Sequence, residues 1–204
     1  GHIDACDECG NISISYNSCR NRHCPKCQGR NREDWIQTRE TELLPVPYFH
    51  VVFTLPEVLN KTALHEPKML YDILFESAWE TLQTFGKNKN LQMGMIAVLH
   101  TWGQNLSLHP HLHCIVPGGG VDENGAWKNI RNDGKFLFSV KALSKVFRAK
   151  FCEKLKANLK DKFNENQENE YEKIRQSLWE KPWVVYAKKP FGSPKSVVEY
   201  LGRY

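Results

Sequence analysis

The sequence has no apolar run long enough to cross a bilayer, and no charged-then-apolar leader opens it. A membrane-spanning helix needs about 20 mainly apolar residues, and a signal peptide places an apolar stretch behind a basic start. We therefore expect a soluble protein of the cytoplasm that makes no membrane contact. The chain begins Gly-His without an initiator methionine, so we also expect it to be part of a longer protein.

A cysteine pattern typical of secreted proteins is absent as well. The seven cysteines are odd in number, and five of them fall within the first 27 residues. Such clustering favours metal binding in a reducing compartment over a disulfide framework. With 204 residues the chain can form one domain with an appendage, or two small domains.

The clustered cysteines form two Cys-x2-Cys pairs separated by fourteen residues. Zinc takes four ligands in a tetrahedron, and two such turns facing each other supply them. We therefore predict a structural Zn²⁺ site whose ligands are Cys6, Cys9, Cys24 and Cys27. Three further residues remain alternatives for this quartet, namely His2, Cys19 and His23.

Basic side chains surround the second cysteine pair, and the whole chain has a net charge of +5. Guanidinium groups on a loop stiffened by zinc would contact phosphates at little entropic cost. As a group they favour a nucleic-acid partner, although any single one could be a solvated surface residue. The candidates for DNA binding are Arg20, Arg22, Lys26 and Arg30.

A histidine-rich stretch, residues 108–116, is typical of a β-strand. At the two-residue period of a strand, His109, His111, His113 and Ile115 share one face. Two imidazoles two residues apart suit a divalent metal, and three histidines within five residues favour a site over a merely solvated face. The glycines at 118–120 are followed by no helical pattern, so we predict a turn there and not a phosphate cradle.

The remaining patterns predict further helices and strands. Pro194 at a first helical position, after Ser193 as N-cap, starts a helix on which Tyr200 and Tyr204 lie one turn apart. Asn124-Gly125 predicts a two-residue hairpin turn. The other predictions are helices at 28–44, 68–85, 143–163 and 171–179, and strands at 48–55, 93–102 and 183–187.

Together these motifs resemble the two-tyrosine rolling-circle transposases of the insertion sequence ninety-one group, within the superfamily of His-hydrophobe-His single-strand nucleases. The resemblance covers nearly the whole chain. It is carried by the strand ending Val52-Phe53-Thr54-Leu55-Pro56, the His111-Leu112-His113 strand, the tyrosine helix and the cysteine-rich segment 17–27.

The resemblance implies an α+β fold in two domains. Residues 1–44 would form a zinc-binding domain with a connecting helix, and residues 45–204 a nuclease core on an antiparallel sheet with flanking helices, the tyrosine helix lying against the sheet. It implies that His111 and His113 hold a divalent ion. It further implies that Tyr200 and Tyr204 cleave and rejoin single-stranded DNA at transposon ends and target, through a 5′-phosphotyrosine. Host replication machinery or a helicase would supply the single strand in the bacterial cytoplasm, near the nucleoid.

Two histidines do not complete the shell of Mg²⁺ or Mn²⁺, the ions that we expect here. Related nucleases add a Gln, Glu or His from nearby, and Gln104 is the candidate, with His109 and His100 as alternatives. Two other functions also remain open. One is a rolling-circle replication initiator of the same superfamily, and the other is a zinc-dependent DNA-binding module without catalysis.

Overall fold

A computed structural model of the protein describes residues 2–15, 25–103, 105, 107–131, 137–159, 174–188 and 193–202. The chain divides into two compact units between Leu43 and Leu44. None of the helices in the described part of the chain combines the length and the apolar character that a bilayer crossing needs.

The first unit contains a β-hairpin and one helix. Strands β1 (His2–Ala5) and β2 (Ile12–Ser15) pair in antiparallel fashion, and α1 spans Pro25–Thr41. The turn between the strands is closed by backbone hydrogen bonds from Gly10 N to Cys6 O and from Cys6 N to Asn11 O. The sequence patterns above did not predict this hairpin, because its strands are only four residues long.

The second unit is built on a four-stranded antiparallel sheet with the order β4-β5-β3-β8. The structure confirms the predicted α+β class with an antiparallel sheet. The strands of this sheet are β3 (Tyr48–Thr54), β4 (Ile96–Trp102), β5 (Leu108–Pro117) and β8 (Val185–Lys188). Both neighbours of β5 are antiparallel to it, so β5 is a central strand that is hydrogen-bonded on two sides.

Helices cover one face of this sheet. They are α2 (Asn60–His65) after a 3-10 turn at Glu57–Leu59, α3 (Pro67–Lys87), α4 (Val140–Leu159) and a helix α5 that includes 174–180. Inward side chains of the strands, such as Val51, Phe53 and Leu112, are fully buried there in one hydrophobic cluster. Phe147 of α4 packs on Phe53, with ring centroids 4.8 Å apart. This packing fixes which face of each strand points away from the core.

A last helix, α6 (Pro194–Leu201), packs against β5. Its start follows the prediction, since Ser196 N donates to Ser193 Oγ at 3.3 Å. Val198, Leu201 and Ile115 are buried but do not belong to the large cluster. Because the opposite face of β5 is filled by that cluster, α6 covers the other face around Ile115.

A small hairpin explains the glycines at 118–120. Strands β6 (Gly119–Val121) and β7 (Trp127–Asn129) are joined by five residues, so the predicted hairpin is present but the prediction of a two-residue turn is wrong. The carboxylate of Asp122 accepts hydrogen bonds from the backbone N–H groups of Asn124 and Ala126, and this organises the longer loop. A Cβ at Gly120 would lie 2.5 Å from the carbonyl oxygen of Gln92. The glycine run therefore permits close backbone packing and is no phosphate cradle.

Replacing Gly120 with Ala should lower the free energy of unfolding by about 1–3 kcal/mol, because a backbone carbonyl cannot move aside as a flexible side chain would. Gly94→Ala is the matched control, since its Cβ would meet Pro117 Cγ at an ordinary 3.6 Å. Urea unfolding of both variants measures the difference. Equal stability of Gly120→Ala and Gly94→Ala would contradict this account of the glycine run.

Candidate metal centre

Histidines from three neighbouring strands meet on the sheet face that points away from the large core. His111 and His113 alternate with buried Leu112 along β5, as the two-residue period predicts. Antiparallel pairing places residues that lie opposite each other on the same face. His100 of β4 pairs with His111, so it joins this face. His50 of β3 pairs with Ile115 and joins it too.

Three of these side chains form a triangle of possible metal ligands. One ring nitrogen each of His100, His111 and His113 lies within 4.8 Å of the other two. The rings of His100 and His113 are closest, with centroids 4.2 Å apart, and both residues are buried. Imidazole is a ligand for many divalent transition metals, and small rotations would bring these nitrogens onto one ion. The residues present therefore fit a divalent ion.

Burial keeps these imidazoles neutral. Desolvation is the main cause that lowers the pKa of His100 to about 4 and that of His113 to about 3, and neighbouring histidines add to both shifts. Desolvation also lowers the pKa of His50 and of His111. A metal ligand needs a free lone pair, and a neutral imidazole offers one on the ring nitrogen that carries no proton.

Hydrogen bonds orient the two histidines of β5. Nδ1 of His111 lies 2.5 Å from the backbone oxygen of His109, which can only accept, so this nitrogen donates. The lone pair of His111 is therefore on Nε2. Nδ1 of His113 lies 2.7 Å from Nε2 of His50. An ion at the triangle would thus be coordinated through Nε2 of His113.

An open cavity of about 730 Å³ lies at the end of β3 and the start of β5. It is lined by polar and charged side chains together with apolar ones, among them Thr54, Asn60, Ser107, His109 and Lys181. Thr54 pairs with His111, so the cavity begins one strand away from the triangle. Asn60 Nδ2 donates to the backbone oxygen of Leu108 and ties α2 to the first residue of β5.

The structure describes some of the predicted catalytic and metal-binding residues. Tyr200 belongs to α6, the helix that packs against β5, and only its backbone position is described. Tyr204 and Gln104 lie outside the described residues. His100, which the sequence left as an alternative third ligand, is the residue that stands beside His111 and His113. His109 is exposed and has its ring 5.2 Å from that of His111.

The first cysteine pair lies in the turn of the β1–β2 hairpin. Cys6 and Cys9 are exposed, reduced and close in space. Backbone N–H groups of Cys9 and then Glu8 donate to the Cys6 thiol, and these bonds lower the pKa of Cys6. A thiolate is the form that binds zinc, so this turn fits the role of half a zinc site. Cys24 lies outside the described residues, and Cys27 is described only by its backbone position in α1.

The structure describes two of the four predicted DNA-binding residues. Arg20 and Arg22 lie outside the described residues, together with Cys19 and His23. Lys26 is described by its backbone position in the first turn of α1, and Arg30 is an exposed residue of the same helix.

Comparison with known proteins identifies the family. A family model described as "Putative transposase" matches residues 94–204, more than half of the chain, and one described as "Transposase zinc-binding domain" matches residues 1–55. The chain belongs to the insertion sequence ninety-one family of transposases. The family of the resemblance stated above is thereby confirmed.

Two relatives support this assignment. The chain is 43% identical over 215 residues to "Putative transposase y4qJ" of Sinorhizobium fredii (strain NBRC 101917 / NGR234), a match to 100% of the chain and 54% of that protein. It is 38% identical over 127 residues to "Transposase for insertion sequence element IS801" of Pseudomonas savastanoi pv. phaseolicola, a match to 60% of the chain and 31% of that protein. The chain therefore spans about half, or less, of the length of these transposases.

Solved structures of the conjugative relaxase TrwC are more distant. A complex of TrwC with a 27-mer DNA that comprises its recognition hairpin and cleavage site has a TM-score of 0.41 at 13% identity, and covers 53% of this chain and 44% of TrwC. A metal-free complex with oriT DNA also has a TM-score of 0.41, at 10% identity, and covers 76% of this chain and 70% of TrwC. Scores this low carry no argument about this transposase.

The low pKa values predict a pH-dependent fold in the metal-free transposase. In the unfolded chain each histidine takes up a proton near its ordinary pKa of about 6.5, whereas His100 and His113 resist protonation until about pH 4 and about pH 3. Between these limits the unfolded state binds more protons than the folded state. The contribution of these two histidines to the free energy of unfolding is therefore fully present above pH 7 and is lost as the pH falls. Thermal unfolding of metal-depleted protein should show a Tm that is several degrees lower at pH 5 than at pH 7.

The double variant His100→Gln with His113→Gln should reduce that decrease in Tm. The exposed His65 of α2 supplies the control, because His65→Gln should behave like the unmodified chain. A Tm that does not change between pH 7 and pH 5 in the unmodified chain would show that the buried histidines are not linked to folding in this way.

Proposed function

We propose that this chain contains the strand-cleaving part of a rolling-circle transposase, which cleaves and rejoins single-stranded DNA through a 5′-phosphotyrosine. The ligands of the catalytic ion, Mg²⁺ or Mn²⁺, are His100, His111 and His113, with His100 taking the place first considered for Gln104. The observation that carries the proposal is the triangle of imidazoles on β4 and β5, in which His100 and His113 are buried and His111 is half-buried. The packing of α6 against β5 supports it.

The nucleophiles are Tyr200 and Tyr204. A tyrosine hydroxyl, with a reference pKa of about 10, is mostly neutral at pH 7 and needs activation at the phosphate that it attacks. When held by these histidines, a divalent ion would neutralise charge on the scissile phosphate and help to orient it. In the cleavage step a bond forms between the phenolic oxygen and phosphorus, and the bond from phosphorus to the 3′-oxygen breaks. The phenol loses its proton, and the departing 3′-oxygen gains one as a hydroxyl.

The covalent intermediate keeps the energy of the cleaved bond. The 3′-hydroxyl of another strand can then attack the same phosphorus and release the tyrosine. This second transfer rejoins the DNA. Two tyrosines one helical turn apart allow two strand ends to be held in turn. This arrangement suits strand transfer better than simple nicking.

The cavity beside the triangle is where the flanking nucleotides bind. It is open, it begins at Thr54 and His109, and it carries hydrogen-bonding side chains along its wall. Single-stranded DNA offers phosphates and unpaired bases to such a groove. DNA at transposon ends and target is the partner, and a helicase or the replication machinery of the host exposes it in the cytoplasm.

The N-terminal unit is assigned the zinc site. Residues 1–44 form the zinc-binding domain and 45–204 the nuclease domain, and the division of the chain into two compact units between Leu43 and Leu44 supports this proposal. The ligands are Cys6, Cys9, Cys24 and Cys27. The residues assigned to DNA phosphates are Arg20, Arg22, Lys26 and Arg30.

An adduct assay tests the catalytic proposal. With Mg²⁺ or Mn²⁺, the chain should form a covalent adduct with a single-stranded oligonucleotide of the transposon end. Because the protein keeps the 5′-phosphate side, a label at the 3′ end should travel with the protein on a denaturing gel, and a 5′ label should not. Tyr200→Phe combined with Tyr204→Phe should abolish the adduct, and each single variant assigns the order of attack.

Tyr71→Phe is the control in this assay, because Tyr71 packs against the core from α3, on the opposite side of the sheet. Its adduct should equal that of the unmodified chain. An adduct that persists in the double tyrosine variant, or that carries the 5′ label, would contradict the mechanism.

Zinc analysis tests the N-terminal site. Cys6→Ser should lower the zinc content of the purified chain from one ion toward none, because a hydroxyl replaces a thiolate ligand. Cys152→Ala, which changes a buried cysteine of α4, should keep its zinc. Full zinc content in Cys6→Ser together with its loss in Cys19→Ser would assign a different quartet.

A further inference from the structure

His50 contacts the candidate metal centre without belonging to it. It lies on β3 and pairs with Ile115, so His113 is its diagonal neighbour across the ladder. Nε2 of His50 is 2.7 Å from Nδ1 of His113, the ring centroids are 4.9 Å apart, and the ring planes are inclined by 17°, so the two rings face each other edge to edge. Among the described residues, the triangle of candidate ligands consists of the three other histidines and does not include His50. Its contact is therefore with a ligand and not with an ion.

Two arrangements of protons are compatible with this hydrogen bond. In a neutral imidazole one nitrogen donates and the other accepts. If His113 donates from Nδ1, its Nε2 carries a lone pair and can coordinate. If His50 donates instead, the proton of His113 sits on Nε2 and blocks coordination. The direction of one hydrogen bond thus decides whether His113 can act as a ligand.

We propose that His50 is the positioning residue for His113: as an acceptor through Nε2, it holds His113 with its proton on Nδ1 and its ring aimed at the ion. This inference rests on the metal site of the proposed function. It requires His50 to carry its own proton on Nδ1. Such outer partners of metal-bound histidines fix both the tautomer and the orientation of the ring.

The hydrogen-bond partner of His113 is a side chain that mutation can remove, whereas the partner of His111 is a backbone atom. His111 has its tautomer set by the backbone oxygen of His109, which no substitution at 109 deletes. His113 relies on a side chain from another strand for the same purpose. The two ligands of β5 are thus supported by different means, and replacing His50 should disturb His113 while His111 keeps its backbone acceptor.

Binding of Mn²⁺ to zinc-loaded chain, followed by electron paramagnetic resonance, tests the proposal without any DNA cleavage. His50→Ala should weaken Mn²⁺ affinity by roughly 10–100-fold, the usual cost of losing such a partner. His50→Gln should recover most of the affinity, because its carboxamide oxygen reaches about as far as Nε2 and accepts a hydrogen bond. His65→Ala, at an exposed position on α2, should bind Mn²⁺ like the unmodified chain.

Nitrogen-15 NMR of the histidine rings in metal-depleted chain gives the second measurement. His113 should be protonated on Nδ1 in the unmodified chain and in His50→Gln, and should shift toward Nε2 protonation in His50→Ala. A purely structural role for His50 would not move this signature. Circular dichroism verifies that each variant is folded, and His50→Gln keeps the test valid if His50→Ala unfolds.

The outcomes separate the two proposals. Unchanged Mn²⁺ affinity in folded His50→Ala, or an Nε2 proton on His113 in the unmodified chain, would overturn the role of His50 and leave the metal site standing. No Mn²⁺ binding by the unmodified chain would overturn the metal site, and the role of His50 with it.

Discussion

The antiparallel pairing of β5 with both of its neighbours is the constraint on which the candidate site depends. The histidines come from three strands, of which β3 is far from the other two in sequence, and the register of the ladders brings them together. Side chains alternate with a period of two, so a slip of one residue would turn His111 and His113 into the apolar core. The burial of Leu112 and Phe53 on the opposite face opposes such a slip. The buried core on one face of the sheet therefore fixes which side chains form the site on the other face.

The same burial prepares the histidines for ligation. Removing an imidazole from water disfavours its charged form, and His100 and His113 are nine-tenths buried. A cluster of neutral imidazoles avoids mutual repulsion. The backbone oxygen of His109 directs the lone pair of His111, and in the proposal above His50 does the same for His113. Loss of solvent thus favours metal binding and at the same time makes the metal-free fold sensitive to acid. Both effects follow from the packing of one sheet.

Part of this arrangement could be predicted from the sequence. The spacing of His111 and His113 needs only the period of a strand, and the helix beginning at Pro194 needs only local capping. Strand pairing brings His100 beside His111, 11 residues away, and His50 beside His113, 63 residues away. The register of β4 is also irregular between His100 and Trp102. No periodicity along one strand encodes that register. The β1–β2 hairpin was missed for another reason, since strands of four residues give too few alternations to stand out.

Three successive outward residues of β5 have two different roles in the second unit. His111 and His113 face the candidate ion, and Ile115 is buried where α6, with Val198 and Leu201, packs on the strand. A strand advances about 6.6–6.8 Å for every two residues, so this spacing along β5 sets the distance between the imidazoles and the contact of α6 with the strand. Because β5 is hydrogen-bonded on both sides, neither distance can change without breaking a ladder. A central strand is therefore a suitable place to hold an ion and to dock the helix of Tyr200, the proposed nucleophile.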